Sequence, residues 1–586
     1  MDRFIFIRGI GLLFKNNFRM LVKKILVVEV NMPDDTQTIC DNAEFVGITK
    51  MPVNVELFNV WICGGMGRHG AVSSFVRVIV PIKTHGFCIS FELFDDTVGI
   101  LGIVFSNPSF YARRIKDGHS CLSRIYCLTD RFRNINETME YELQIIQKVL
   151  FEAGDFERMA RVIAMRLEDP HVPAVLRERL RFQLSIAREI PAAYPHTRPA
   201  LLAMLQEQVK DFTEAELEAL RDDGTLDWRY VNGEVRFKDN CVASLLKTRA
   251  EYAARAVDPS GTRAAQARHR ALDEIIAFMK ANGGARARFE VHEEMTVKSS
   301  RLVPGETLRI HLPLPVVGAQ VKSARLLSTS HAARSIAPPD APHRSAYFEL
   351  PYAEGMTVSA ELAYEIDAPY CMPDPARVCA QQPCFDTEEQ PPHVVFTPYL
   401  RALAGEIVLG ETNPLLRARR IYDFITTQAV YRYMPPYLTV TNIPEYFLTG
   451  LRGDCGVQAI AFITLCRLCG IPARWQAGLY TTPESTGNHD WARFYVEPYG
   501  WLYADCSFGG SAYRAGAMDR WNFYFGNLEP WRLPLCSDFQ QEFDPPRRFL
   551  RRDPYDNQNG EVETLHRALE RDEYQTDSRI IRYTLG

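Results

Sequence analysis

The sequence predicts an α+β protein of several domains, because the periodicity of apolar residues changes along its 586 residues. Residues 139–284 show helical periodicity with helix-end signals, whereas residues 285–369 alternate apolar and polar side chains as strands do. Residues 395–535 combine both patterns around one cysteine, Cys455. We therefore expect a helical domain, a β-sandwich domain and a mixed core, in that order.

The helical domain over 139–284 is predicted from apolar faces and from residues that favour helix ends. Asp155 is a candidate start and Asp169-Pro170 a stop around one apolar face. Two short β-branched and aromatic segments around Asn232-Gly233 predict a hairpin between the helices. A packed helical domain without chemistry and a docking module for a partner or substrate are both compatible with this pattern. Further helices are predicted at 174–188, 198–209, 214–221, 240–254 and 262–279.

Residues 285–369 predict a β-sandwich, because alternating segments are separated by turns such as Pro304-Gly305. We expect about seven strands there. Residues 370–394 are rich in proline and predict a linker. The linker cysteines do not form a Cys-x-x-Cys pair, so we expect no metal site; they are Cys371, Cys379 and Cys384.

Residues 1–138 differ in amino-acid composition from the rest of the chain, since they contain only three alanines, Ala43, Ala71 and Ala112. One hypothesis is a small β-rich domain around 76–105. The other, which we favour from the sequence, is a mis-assigned start of translation, with Met139 as the functional first residue.

The charge and composition of the chain limit which classes of partner and which cellular location we expect. A formal net charge of −5 argues against nucleic acid or an anionic membrane as the main partner. No apolar run reaches the ~18 residues of a membrane span. The 14 cysteines lack disulfide-framework spacing, which favours the cytoplasm. Residues 536–586 are predicted to be a charged C-terminal extension, and we expect its part from Arg547 onward to wrap the surface.

Cys455 lies in Arg452-Gly453-Asp454-Cys455-Gly456, directly before an apolar helix predicted at 457–468. A cysteine attacks as the thiolate, and the first turn of a helix favours negative charge. Asp454 is a good N-cap, but its own charge works against the thiolate. A nearby imidazolium would have to outweigh Asp454.

His489 is the candidate base and Asp505 the candidate carboxylate that orients it. Aromatic-rich segments around the Pro498-Tyr499-Gly500 turn predict two adjacent strands that carry these residues. A simple hairpin register does not place His489 opposite Asp505, so we expect a bulge or a strand bend. Asp490 is an unsuitable replacement for Asp505, because successive strand residues point to opposite faces.

These motifs resemble the core of the transglutaminase-like superfamily, in particular bacterial transglutaminase-core proteins with a papain-like cysteine-peptidase fold. The resemblance covers about residues 395–530, and one departure is Cys506 where the family often has proline. It implies Cys455 as nucleophile, His489 as general base and Asp505 as the orienting acid. The motifs that carry it are 452–459, 469–474, 488–492 and 501–505.

The predicted activity is attack of Cys455 on the amide carbonyl of a peptide or protein, through a thioester intermediate. We expect hydrolysis rather than cross-linking, and no cofactor or metal. The alternative is a core without activity that binds a polypeptide or serves as a scaffold.

Overall fold

The computed structural model describes residues 149–551 and 553–586, together with five strands between residues 48 and 105. The chain divides into two compact units, Met1–Leu143 and Gln144–Gly586. In the first unit the strands form one antiparallel sheet in chain order, and three of them lie in the region considered for a β-rich domain. The hypothesis of a start at Met139 falls outside the described residues. The strands are β1 Ile48–Thr49, β2 Val60–Trp61, β3 Arg77–Ile82, β4 Phe87–Phe94 and β5 Thr97–Phe105.

Helices dominate residues 156–282, and their ends follow the local capping signals. Asp155 accepts a hydrogen bond from the Arg158 backbone N–H at 3.1 Å. The predicted hairpin forms, and Asn232 and Gly233 both have positive φ, as a type I′ turn requires. The helix expected at 240–254 is interrupted at Arg249, which has extended backbone. The elements are α1 Phe156–Glu168, α2 Ala174–Ala193, β6 His196–Thr197, α3 Arg198–Gln208, α4 Glu214–Asp222, β7 Trp228–Val231, β8 Glu234–Phe237, α5 Cys241–Thr248, α6 Ala250–Ala253 and α7 Ser260–Asn282.

Two antiparallel four-stranded sheets follow, and they share one hydrophobic cluster. Ile310 and Phe348 of one sheet and Met295 and Val358 of the other belong to that cluster. The strand orders are β12-β13-β10-β22 and β11-β14-β9-β23. The strands are β9 Gly284–Val297, β10 Thr307–Pro313, β11 Val321–Thr329, β12 Ser335–Ile336, β13 Ser345–Pro351, β14 Thr357–Pro369, β22 Glu561–Thr564 and β23 Tyr574–Leu585.

The C-terminal segment does not wrap the surface, so that expectation is wrong. Its strands β22 and β23 pair with β10 and β9 and complete the two sheets. Some charged side chains of this segment are buried as ion pairs, as in the 3.0 Å contact between Arg551 Nε and Glu561 Oε1. Charged composition suggested a solvated segment, but mutual ion pairing and strand pairing allow these side chains to be buried.

The core around Cys455 packs helices on a five-stranded antiparallel sheet of order β20-β19-β18-β17-β21. The helix that begins at Cys455 is buried along almost its entire length. Leu272 and Met279 of α7 belong to the same hydrophobic cluster as the core, so this helix packs with it. Among the residues described, no helix is both long and apolar enough for a bilayer crossing. The elements are α8 Pro398–Val408, α9 Pro414–Gln428, β15 Val430–Tyr431, α10 Ile443–Gly450, β16 Arg452–Gly453, α11 Cys455–Leu468, β17 Ala473–Thr481, β18 Thr486–Val496, β19 Gly500–Ala504, α12 Cys506–Arg514, α13 Met518–Phe523, β20 Phe525–Gly526 and β21 Arg532–Cys536.

Candidate active site

Cys455 is the first residue of α11, where unsatisfied backbone N–H groups favour negative charge. Asp454 caps the helix by accepting a bond from the Val457 N–H at 3.4 Å, and the Tyr437 hydroxyl donates to the same carboxylate. Gly456 allows this close packing, since a Cβ there would lie 2.2 Å from the Tyr437 oxygen. Cys455 itself keeps partial exposure to solvent. The helix start therefore holds the half-buried Cys455 among tightly packed side chains.

His489 and Asp505 are in direct contact, with 2.7 Å between His489 Nε2 and Asp505 Oδ2. Strand β18 pairs with β19 without a register shift up to Ala492 and Ala504. Asp505 then leaves the strand and caps α12, accepting from the Phe508 N–H at 2.9 Å. Of the two expected alternatives, a bulge or a strand bend, the bulge is absent from this pairing. A bend at the strand-to-helix junction brings the carboxylate to the imidazole.

A buried arginine anchors this pair from the other side. Arg532 Nη1 lies 2.8 Å from Asp505 Oδ2, and Arg532 Nε lies 2.7 Å from Glu529 Oε1. Arg532 also faces the Phe508 ring at 4.2 Å. Burial alone would raise the pKa of Asp505, but the charges of His489 and Arg532 outweigh it and lower that pKa to about 2. The carboxylate is therefore ionised at neutral pH.

The thiol of Cys455 has a different partner, Asp490. Cys455 Sγ lies 3.3 Å from Asp490 Oδ2, and the structure gives it no hydrogen bond to His489. Burial, followed by the charges of Asp490 and Asp454, raises the pKa of Cys455 well above its usual range. Burial lowers the pKa of His489 below 6.5, despite the favourable Asp505 charge. At neutral pH the thiol and the imidazole are therefore both uncharged.

The structure thus joins two of the three predicted residues and places the third beside a carboxylate that was not predicted to contact it. His489 and Asp490 are neighbours on β18 and make separate contacts, in keeping with strand alternation. Gln558 of the C-terminal segment donates to Asp490 Oδ1 at 2.7 Å and to the His489 carbonyl at 3.0 Å.

Sequence reasoning missed Asp490 as the thiol partner, and it missed Arg532, Glu529 and Gln558 altogether. No motif marks the last three, because each reaches the site from a distant part of the chain.

The site residues form no metal centre, and no group of metal-ligating side chains occurs elsewhere among the residues described. The linker cysteines Cys371, Cys379 and Cys384 are free thiols in this structure.

A family model of the transglutaminase-like superfamily matches residues 401–506, which confirms the resemblance over the segment that carries Cys455, His489 and Asp505. A search of curated proteins finds no match.

Three solved structures show limited similarity to the chain. A candidate cysteine protease from Cytophaga hutchinsonii has 14% identity and a TM-score of 0.32, covering 51% of this chain and 91% of its own. The periplasmic domain of TgpA from Pseudomonas aeruginosa has 14% identity and a TM-score of 0.22, covering 42% and 94%. A candidate protease from Parabacteroides distasonis has 11% identity and a TM-score of 0.17, covering 37% and 42%. These TM-scores are too low to indicate a shared overall fold.

Proposed function

We propose that the protein is a cysteine-dependent enzyme that cleaves amide bonds of a peptide or protein, with Cys455 as nucleophile. The observation that carries this proposal is a buried series of contacts from His489 through Asp505 to Arg532. These residues follow Cys455, which lies at a helix start, in the sequence. A base held by an ionised, anchored carboxylate is the arrangement that nucleophilic catalysis requires.

The first step starts from the uncharged thiol and imidazole. Because Asp505 occupies His489 Nε2, Nδ1 is the nitrogen left to accept a proton. The proposed step requires rotation of the Cys455 side chain about its Cα–Cβ bond, so that His489 replaces Asp490 as the partner of the thiol. The imidazole then takes the proton while the sulfur–carbon bond forms, and Asp505 stabilises the imidazolium.

The later steps follow from the same groups. The backbone N–H of Cys455, with a second donor, stabilises the oxyanion of the tetrahedral intermediate. His489 returns its proton to the departing amine, which leaves a thioester on Cys455. Water then attacks the thioester with His489 again as base, and hydrolysis releases the acid. We favour water over an amine as acceptor, so hydrolysis is proposed rather than cross-linking.

The proposed architecture is a helical domain, a β-sandwich domain and a papain-like core within residues 149–586, and the proposed location is the cytoplasm. Limited proteolysis should cut first within 370–394 if that segment is a linker between domains. Fractionation of the native cell should recover the protein with cytoplasmic markers.

Turnover of a peptide library by wild-type protein and by Cys455→Ala tests the activity. We expect cleavage by the wild type and none by Cys455→Ala. Cys384→Ala is the matched control, because its thiol is exposed and unconnected to the site. Full turnover by Cys455→Ala would disprove the mechanism.

The second candidate is an inactive core that binds a polypeptide. The observation that favours it is the contact of the thiol with Asp490, which opposes thiolate formation. Labelling with a peptidyl chloromethyl ketone distinguishes the two. An active site should label at Cys455 faster than at the exposed Cys379, and His489→Gln should remove that advantage. An inert thiol would label more slowly than Cys379 with or without His489.

A further inference from the structure

Gln558 reaches the candidate site from the C-terminal segment, outside the residues that match the family. Its Nε2 lies 2.7 Å from Asp490 Oδ1, 3.0 Å from the His489 carbonyl oxygen and 3.2 Å from the Gly478 carbonyl oxygen. Because all three partners are acceptors, the amide nitrogen must face them, and this fixes the orientation of the amide. Gly478 and His489 are paired across β17 and β18. Gln558 therefore contacts the strand pair at the point where β18 presents Asp490.

The turn that carries Gln558 is held on two sides. On one side the Asn557 amide donates to the Arg344 carbonyl at 2.7 Å, directly before β13. On the other side the Asn488 amide of β18 donates to Asn559 Oδ1 at 3.0 Å. Gln558 and Asn557 are themselves buried. The position of the Gln558 amide is therefore set by the packing of this turn between β13 and β18, in addition to its own contacts.

Asp490 and the Cys455 thiol compete for one proton. Asp490 Oδ2 lies 3.3 Å from Cys455 Sγ, so the two groups share a hydrogen bond. Burial, followed by the charges of Asp556 and Asp454, raises the pKa of Asp490 well above its usual range, and Asp553 acts in the same direction. A carboxyl group with a raised pKa and a thiol in contact with it titrate as a pair.

The contact with Gln558 favours one position of that proton. A hydrogen bond to the charged form of a group stabilises that form, so donation from Gln558 to Oδ1 stabilises Asp490 as a carboxylate. When Asp490 is a carboxylate, the proton remains on Cys455 and the thiol donates to Oδ2. Loss of the Gln558 amide would shift the pair toward a protonated Asp490 beside a Cys455 thiolate.

We propose that Gln558 is a positioning residue that keeps Asp490 as a carboxylate facing the thiol, and thereby holds Cys455 in a protonated resting state. This inference rests on the proposed function, because it concerns the nucleophile of that reaction. It gives the C-terminal segment a regulatory contact with the site. Withdrawal of Gln558 from Asp490 releases the thiol from this state.

Replacement of Gln558 by methionine tests the resting state, because methionine keeps an unbranched side chain and removes the amide. The readout is the rate of alkylation of Cys455 by iodoacetamide across pH 5–10, followed by peptide mass spectrometry. We expect Gln558→Met to raise this rate at neutral pH about three- to tenfold, because a hydrogen bond to a charged group is lost and more of the thiol ionises. The pH at which the rate is half-maximal should fall.

The same replacement in an Asp490→Asn background separates this role from a merely structural one. In that background the Gln558 amide holds the oxygen of the new side chain, whose NH2 group then faces the sulfur and stabilises the thiolate. Gln558→Met should therefore lower the rate at Cys455 by at least about threefold. The effect thus changes sign between the two backgrounds, whereas a general loosening of the fold would change both rates in the same direction.

A control variant and a spectroscopic measurement complete the experiment. Gln575→Met is the matched control, because Gln575 is an exposed glutamine on β23 that donates to the Asp577 carboxylate at 2.8 Å, and it should leave the rate at Cys455 unchanged. Thermal unfolding checks that each variant is folded. Infrared difference spectra between the wild type and Cys455→Ala need no Gln558 variant. They should show the S–H stretching band of Cys455 at neutral pH.

Three results would each overturn the resting state: an effect of the same sign in both backgrounds, an unchanged rate in folded Gln558→Met, or a missing S–H band. None of them would affect the proposed function, which is tested by the turnover of Cys455→Ala. Full turnover by Cys455→Ala would overturn the proposed function, and the regulatory role of Gln558 with it.

Discussion

Replacing Asp490 by Asn should make Cys455 more reactive, even though most substitutions in an active site reduce reactivity. Asp490 Oδ2 lies 3.3 Å from the sulfur and its charge opposes thiolate formation. The Gln558 amide donates to Asp490 Oδ1, so an asparagine would keep its oxygen on that side. Its NH2 group would then face the sulfur and donate to the thiolate.

The size of the effect follows from the electrostatics. Two like charges about 4 Å apart interact by ~4 kcal/mol at an effective dielectric of about 20, which equals a pKa change of about three. This is an upper bound, because burial raises the pKa of Asp490 and keeps part of it uncharged. We expect the pKa of Cys455 to fall by about one to three. A lower pKa increases the fraction of thiolate at neutral pH, but a less basic thiolate is a weaker nucleophile. Each decrease of one in pKa therefore raises the rate at neutral pH about threefold. The expected increase is roughly 3- to 30-fold.

Alkylation of Cys455 by iodoacetamide across pH 5–10, followed by peptide mass spectrometry, measures this change. The exposed Cys379 and Cys384 provide reference rates within the same molecule, and thermal unfolding checks that the variant is folded. Asp519→Asn is the matched control, because that side chain is 81% exposed. An unchanged or slower rate in a folded Asp490→Asn protein would refute the assigned contact.

Further predictions concern residues that pack around Cys455 and His489. Arg532→Met should lower the free energy of unfolding in urea by about 3–5 kcal/mol, because it leaves Asp505 and Glu529 buried without a cation; a loss below about 1 kcal/mol would contradict this. Since the folded pKa of Asp505 is about 2 and its ordinary value is 3.8, its charge stabilises the protein above pH 3.8. That contribution, about 2 kcal/mol, should be lost as the pH falls from 3.8 to about 2, and Asp505→Asn, which keeps the helix cap, should remove this dependence from acid unfolding curves. Gly456→Ala should cost at least about 1–3 kcal/mol, because its Cβ would lie 2.2 Å from the Tyr437 oxygen, and wild-type stability would disprove that packing.

The local structure around the candidate residues Cys455, His489 and Asp505 could be predicted from the sequence, because short-range patterns mark it. Asp454 and the apolar run after Cys455 mark a helix start, and α11 begins there. The aromatic segments around residues 498–500 mark two strands, and β18 and β19 form there. The sequence left open whether a bulge or a bend would bring Asp505 to His489. The strand ends one residue earlier and the chain turns into α12, which removes the need for a bulge.

Sequence alone determined what depends on neighbouring residues: helix starts, the Asn232-Gly233 turn, strand alternation and the chain order of Cys455, His489 and Asp505. Tertiary structure alone decided which charges meet. Arg532 reaches Asp505 only because β21 pairs beside β17, and Gln558 reaches Asp490 from a segment that looked solvated. Periodicity and capping act over a few residues, whereas ion pairs between distant segments depend on how sheets and helices pack. That packing set the partner of the Cys455 thiol.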